Sequence, residues 1–259
     1  MAAVTMPASY ALLRSGAVRA AIRADLVPAL ASWLLAPRLE PPPGAEAITS
    51  GRGPAYRIRV GEGAPAVVRI CRRGGLAARL ARETYLGLRP RPLRELALTV
   101  EARRRGVAAA EVLAARVEGR LAYRGALVTA EVPEAATLIE ALRAAPDGTA
   151  RRGLAAAAGR AVAGLHAAGV FHADLNLRNI LVHAGPEGVR AALLDFDRAW
   201  LGAAPLRPAA RRRNLRRLVR SLVKLDPGGQ LAGAEERRAF RDAYRGHDPR
   251  LALGDACGC

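Results

Sequence analysis

Val170-Phe171-His172-Ala173-Asp174-Leu175-Asn176-Leu177-Arg178-Asn179-Ile180-Leu181-Val182 is the stretch on which the reading of this 259-residue chain turns. An aspartate is followed five residues later by an asparagine, which opens into a short apolar run, Ile180 to Val182. A second apolar run, Ala191 to Leu194, lies beyond the segment from Gly185 to Gly188. The two read as the strands of a small hairpin with a polar tip. Asp195 follows the second strand, in Asp195-Phe196-Asp197. Closing the hairpin predicts Asn179 and Asp195 side by side. An amide oxygen and a carboxylate meeting across a strand pair are hard donors that suit Mg²⁺, an ion that keeps water or phosphate among its ligands.

Upstream, Arg151 to Ala168 predicts a long helix ending at Gly169, a C-terminal glycine, and Ala136 to Ala144 a shorter one. Before Pro133 the pattern is that of strands, Val112 to Val117 and Leu121 to Val132. A helix over Pro92 to Arg105 precedes them, with Leu93, Leu96, Ala97 and Val100 on one face. Tyr56, Ile58 and Val60 alternate with small or basic residues, Gly61-Glu62-Gly63 makes a turn, and Ala66 to Ile70 is apolar, which gives another hairpin. Pro41, Pro42, Pro43 and Gly44 mark a linker. Ahead of it, Ala8 to about Leu35 reads as helical, with a break at Pro28. Downstream, Ala209 to Tyr244 reads as helix. The chain therefore divides into residues 1–44, a helical extension and linker; residues 45–132, a β-rich half; and residues 133–259, a mainly helical half carrying the small hairpin. The class is α+β.

Composition narrows the function. Hydrophobic residues make up 51% of the chain, enough for a buried core. No run of about twenty residues lacks charge, which argues against a spanning helix. The N-terminus is rich in Ala and Leu, but Arg14, Arg19, Arg23 and Asp25 interrupt it, so it reads as mature protein and not as an export signal. Three cysteines, two of them in the tail Cys257-Gly258-Cys259, make neither a disulfide framework nor a zinc site and fit a reducing cytoplasm. The formal charge of +18 favours phosphate-bearing partners. Lys224 is the only lysine, so arginine in place of lysine reflects composition. Aromatics at 4%, with no recognition motif, argue against a nucleic-acid partner.

The spacing from Asp174 to Asn179 ahead of one strand, with Asp195 after the next, resembles the catalytic loop and metal-binding segment of protein kinases. There the aspartate faces the incoming hydroxyl, and the asparagine turns back to hold Mg²⁺ on the phosphates. A β-rich half followed by a helical half matches the two-lobed protein-kinase-like fold. The resemblance sharpens in His-Ala-Asp-Leu-Asn-x-x-Asn-Ile-Leu, His172 to Leu181, and in Leu-x-Asp-Phe-Asp-Arg ending at Arg198. Gly51-Arg52-Gly53, Arg72-Arg73-Gly74-Gly75-Leu76 and Asn214-Leu215-x-Arg217-Leu218-x-Arg220-Ser221-Leu222 extend it. From about Ser50 to Lys224 the chain resembles the lipopolysaccharide kinase family of Gram-negative bacteria.

That resemblance implies transfer of the γ-phosphoryl group of ATP, with Mg²⁺, to the 4-OH of 3-deoxy-D-manno-octulosonic acid (Kdo) on a lipid A precursor. It assigns Asp174 as catalytic base and Asn179 and Asp195 as metal ligands. The setting it implies is the cytoplasmic face of the inner membrane, met peripherally through its anionic leaflet. A core heptose or another small sugar stays open as acceptor, because acceptor choice lives in loops that no motif reads. The intact Asp174, Asn179 and Asp195 argue against an inactive kinase-like scaffold.

In the β-rich half, Arg69 occupies the strand position where kinases carry a phosphate-binding lysine, and relatives in this family also carry arginine there. The other reading is a surface arginine on an edge strand. Glu95 is its expected helix partner, with Glu83 as competitor. Gly51 and Gly53 read either as a loop over phosphate or as a plain turn. Glu131 and Val132 fall by position at the hinge where backbone meets adenine. His166, at the end of the long helix, reads as a structural, hydrogen-bonded residue. The helix from Arg211 to Lys224 sets Leu215, Leu218, Val219, Leu222 and Val223 on one face and Arg212, Arg213, Arg216, Arg217, Arg220 and Lys224 elsewhere. Those charges read either as solvated or as a surface for lipid phosphates.

Overall fold

The computed structural model describes residues 6–48, 54–71, 85–86, 90–186 and 188–251. Gly51, Gly53, Glu83, the Arg72–Leu76 segment and the Cys257/Cys259 tail lie outside them. The chain forms two compact units. Of the described residues, one comprises those up to Val100 together with Glu111–Glu131; the other comprises Glu101–Ala110 and those from Val132 onward.

The first unit is built on one antiparallel sheet. Its strands are β1 (Tyr10–Ser15), β2 (Val18–Arg23), β3 (Glu46–Ile48), β4 (Ala55–Val60), β5 (Ala64–Ile70), β6 (Tyr85–Leu86), β7 (Val112–Gly119) and β8 (Ala122–Ala130). Their order is β1-β2-β7-β8-β5-β4-β3, with β6 also paired to β8. Helix α1 (Val27–Leu35) covers one face, where Leu30 and Leu34 pack among Ala20, Ile22, Ile58, Val60, Val68 and Val128. Helix α2 (Arg91–Arg104) covers the other, with Leu96 against Ala21, Val112, Ala115 and Leu127.

The N-terminal segment differs from the helix expected over residues 8–35. Its first half is the β1–β2 hairpin, turning at Gly16 with φ +55°, and the helix begins only at Val27. Pro28 does not break this helix; it sits in the first turn, where no amide hydrogen is needed. The physical reason lies in β2. Flanked by β1 and β7, it buries Ala20, Ala21 and Ile22 toward both faces, and a continuous apolar run of this kind has no period of its own. Residues 10–23, expected as helix, are thus two strands of the sheet.

The second unit carries α3 (Leu138–Ala144), α4 (Gly148–Ala167), α5 (Pro208–Leu225) and α6 (Ala234–His247). Its strands are β9 (Ala136–Thr137), β10 (Val170–Phe171), β11 (Ile180–Gly185), β12 (Gly188–Leu193) and β13 (Trp200–Leu201). Helix α3 opens with a capping box between Thr137 and Glu140, and α4 with Asp147 accepting from the Ala150 amide. Gly159 lets α6 lie directly on α4, since a methyl there would meet the Phe240 carbonyl oxygen at 2.4 Å. The helical stretch expected over 209–244 divides into two helices. Asp226-Pro227-Gly228-Gly229 ends α5, and the Asp226 carboxylate accepts the amides of Gln230, Leu231 and Ala232 before α6 starts.

Candidate active site

The 170–182 stretch runs from β10 through a loop and one 3₁₀ turn (Leu177–Asn179) into β11. Strands β11 and β12 pair with Ile180 opposite Leu193, so Asn179 falls opposite Leu194, whose amide donates to the Asn179 carbonyl at 2.9 Å. Asp195 comes next, beside Asn179 as the hairpin reading expected. Asp195 has φ +63°, a left-handed conformation that costs a non-glycine residue free energy and that persists where surroundings over-determine it.

Backbone and side chains of the loop hold one another. The carbonyl of Asp174 accepts Nδ2 of Asn179 at 2.8 Å and Nδ2 of Asn176 at 2.9 Å. With its Nδ2 so committed, Asn179 keeps Oδ1, its hard oxygen, for another partner. Asn176 caps the 3₁₀ turn by accepting the amides of Arg178 and Asn179. No donor engages the Asp174 carboxylate among the described residues. Among those residues, too, no three His, Cys, Asp or Glu side chains cluster. The hard oxygens that the hairpin sets near one another are one amide and one carboxylate, a set that fits Mg²⁺ completed by water and phosphate and fits poorly an all-protein cage.

His172 is fully buried and joins the two halves of this arrangement. Its Nε2 lies 2.8 Å from the Leu194 carbonyl oxygen, which can only accept, so Nε2 carries the proton. Nδ1 is then free to accept the Asp174 amide at 3.2 Å. One imidazole thus ties the residue before Asp195 to the amide of Asp174. Phe196 packs edge-on against it with ring centroids 5.1 Å apart. Burial pushes the His172 pKa below its ordinary value and keeps the ring neutral.

Beneath the loop lies a buried polar group that sequence reasoning gave no role. Asn214 on α5 accepts the His172 amide through Oδ1 at 3.1 Å and donates through Nδ2 to the His172 carbonyl. His166 Nε2 lies 3.2 Å from the same Oδ1, and His166 Nδ1 is 2.8 Å from the Tyr244 hydroxyl on α6. Because Oδ1 accepts, His166 is protonated at Nε2 and takes the Tyr244 hydroxyl proton at Nδ1. Its structural reading stands: burial lowers its pKa to about 4, and the nearby Arg211 adds to the effect.

In the first unit, Arg69 Nη2 contacts Glu95 Oε1 at 2.7 Å. Strand β5 lies between β8 and β4, so Arg69 is on an interior strand and the edge-strand reading fails. Glu95 is 4% exposed, and its carboxylate is stabilised by the ion pair. Glu131 is held by Arg57 at 2.7 Å, and its amide donates to the Pro65 carbonyl at 3.1 Å. That amide is therefore committed within the sheet, while the Val132 carbonyl accepts the Ala135 amide at 3.3 Å.

Residues 50–244 match the lipopolysaccharide kinase (Kdo/WaaP) family. A 3-deoxy-D-manno-octulosonic acid kinase of Xanthomonas campestris pv. campestris is 38% identical over 179 residues, covering 68% of each chain. One from Xanthomonas oryzae pv. oryzae is 35% identical over 208 residues, covering 79% of this chain and 78% of the relative. A solved structure described as WaaP in complex with acyl carrier protein aligns with TM-score 0.53 and 22% identity, over 82% of this chain and 83% of that one, which speaks for the fold. The fold is protein-kinase-like and α+β. The chain belongs to the lipopolysaccharide kinase (Kdo/WaaP) family, and its activity class is that of a sugar kinase, a phosphotransferase.

Proposed function

We propose that the protein phosphorylates the 4-OH of Kdo on a Kdo–lipid A precursor, using ATP and Mg²⁺. The observation that carries the reading is the loop–hairpin frame, in which the Asp174 carbonyl holds Asn179 and His172 ties Asp174 to the strand end at Asp195. Asp174 accepts the proton of the attacking hydroxyl and orients it. Asn179 Oδ1 and the Asp195 carboxylate would hold Mg²⁺, which when bound neutralises charge on the transferring phosphoryl group. Arg69, steadied by Glu95, supplies a permanent guanidinium for nucleotide phosphate, and Gly51 and Gly53 a backbone approach to it. With the Glu131 amide in use, the Glu131 carbonyl and the Val132 amide are the backbone groups left for adenine.

The acceptor is an anionic lipid, which fits a chain of charge +18 whose helix α5 carries exposed Arg213, Arg216, Arg220 and Lys224. Among the described residues no helix is long and apolar enough to cross a membrane, and peripheral binding at the cytoplasmic face of the inner membrane accords with this reading. Val223, expected under the core, is 59% exposed beside those cations.

Mass spectrometry of Kdo–lipid A precursor after incubation with protein, ATP and Mg²⁺ tests the proposal. Added phosphate located on Kdo supports it. Phosphate found only on a core heptose or another small sugar offered in parallel would replace Kdo as the acceptor.

A further inference from the structure

At one end of the first unit's sheet two turns lie side by side. The β1–β2 turn at Gly16–Ala17 accepts, at the Ala17 carbonyl, the amide of Gly119, which opens the β7–β8 turn. Arg14, Arg19 and Arg120 line a groove between them together with Gly16 and Ala17. Arg14 Nε donates to the Gly16 carbonyl at 3.0 Å and Arg19 Nη2 to the Gly119 carbonyl at 3.2 Å. These bonds fix the stems and leave the other guanidinium donors free to face the groove.

No carboxylate neutralises this cluster. Residues 10–23 contain no acid, and residues 112–130 contain only Glu118, which pairs with the buried Arg116 at 2.9 Å. Among the described residues Arg14, Arg19 and Arg120 form no ion pair. Two leucines accompany them. Leu12, 62% exposed, lies two residues before Arg14 on the same face of the edge strand β1, and Leu121, 63% exposed, follows Arg120 in the turn. Among the described residues the one other exposed large hydrophobic is Val223.

Exposed leucines beside unneutralised arginines are what an anionic bilayer surface selects. Aliphatic groups enter the headgroup boundary while guanidinium groups reach lipid phosphates. Single-stranded nucleic acid, the other polyanion such a cluster suits, would want aromatic rings to stack on, and leucine offers none. We infer that this sheet end, formed by Leu12, Arg14, Arg19, Arg120 and Leu121, is a docking surface for the anionic leaflet. The inference rests on the reading that the acceptor is lipid-linked and adds a membrane contact separate in sequence from α5.

Co-sedimentation of the full chain with vesicles tests it, comparing phosphatidylcholine alone with phosphatidylcholine containing phosphatidylglycerol. Each basic residue at such a surface contributes about fivefold to partitioning, so Arg14→Gln/Arg19→Gln/Arg120→Gln should bind anionic vesicles roughly a hundredfold more weakly than wild type. Leu12→Ser/Leu121→Ser should also bind more weakly, with its residual binding more sensitive to salt. Thermal unfolding accompanies each variant, and should the triple variant not fold, Arg14→Gln/Arg120→Gln, which keeps the Arg19–Gly119 bond, is expected to lose about twenty-five-fold. Equal binding by the variants and wild type overturns the inference, as does wild-type binding that ignores phosphatidylglycerol or that is lost only with Arg216→Gln/Arg220→Gln on α5. The vesicles contain neither nucleotide nor acceptor, so the two readings fail separately. Phosphate transfer to detergent-dispersed acceptor without vesicle binding would sink the docking surface alone. Vesicle binding without Kdo phosphorylation would sink the acceptor assignment alone.

Discussion

The side-chain amide of Asn214 grips both backbone groups of His172, taking its amide hydrogen at 3.1 Å and donating to its carbonyl oxygen. Asn214 is fully buried, and so is His172, so neither backbone group has water as a substitute partner. The loop carrying Asp174 is thereby fixed to α5 from below.

Asn214→Ala should therefore both destabilise the fold and misplace the loop. Leaving the buried groups of His172 unsatisfied costs roughly 2–4 kcal/mol, to be read from denaturant unfolding. A displacement of Asp174 of about 1 Å would lower kcat on the order of a hundredfold while the KM for ATP moves little. Normal kcat in a folded variant would show that the loop holds its geometry without this clamp.

Stability should fall as pH drops from about 6.5 to about 4. His166 has its pKa lowered by burial from 6.5 to about 4, and burial lowers that of His172 too. In this interval the unfolded chain binds protons that the folded chain refuses, so the histidines' contribution is complete above about pH 6.5 and lost on acidification. At about 1.4 kcal/mol per pKa unit, His166 alone accounts for a loss on the order of 3 kcal/mol. Urea midpoints measured from pH 7.5 to 4.5 check this, and a flat profile would contradict the neutral, buried assignment.

Arg69→Ala should raise the KM for ATP by about tenfold or more, the loss of one charge-assisted phosphate contact. It should also lower thermal stability, because the nearly buried Glu95 carboxylate loses its 2.7 Å ion pair. Unchanged KM and kcat would return Arg69 to an ordinary surface role.

Asp195→Ala should abolish Mg²⁺-dependent nucleotide binding, measured by titration calorimetry with and without the metal. Retention of metal-dependent binding would mean that Asn179 and Asp195 do not hold the ion.

The placement of the candidate site residues was legible where they stand close together in sequence. Asp174, Asn179 and Asp195 sit on one loop and one hairpin, so a period-two pattern and a turn suffice to bring the last two together. The Arg69–Glu95 pair could be foreseen because a strand and the following helix fix the partners. What escaped is long-range. Asn214 meets His172 across 42 residues of chain, and the motif that Asn214 opens says nothing of this partner. Strands β1 and β2 were taken for helix because Ala and Leu favour it, while pairing with β7, nearly a hundred residues on, decides otherwise. The sheet end with Arg14 and Arg120 was invisible for the same reason.

The most direct measurement is single-turnover phosphate transfer by Asp174→Asn, run beside its Mg²⁺–ATP affinity. The substitution keeps size and the backbone bonds of the loop but removes the carboxylate proposed to take the hydroxyl proton. The account predicts wild-type-like nucleotide binding with transfer reduced by about a thousandfold or more, within the span of a positioned acid–base group and its orienting role. Transfer at a near-normal rate would contradict it.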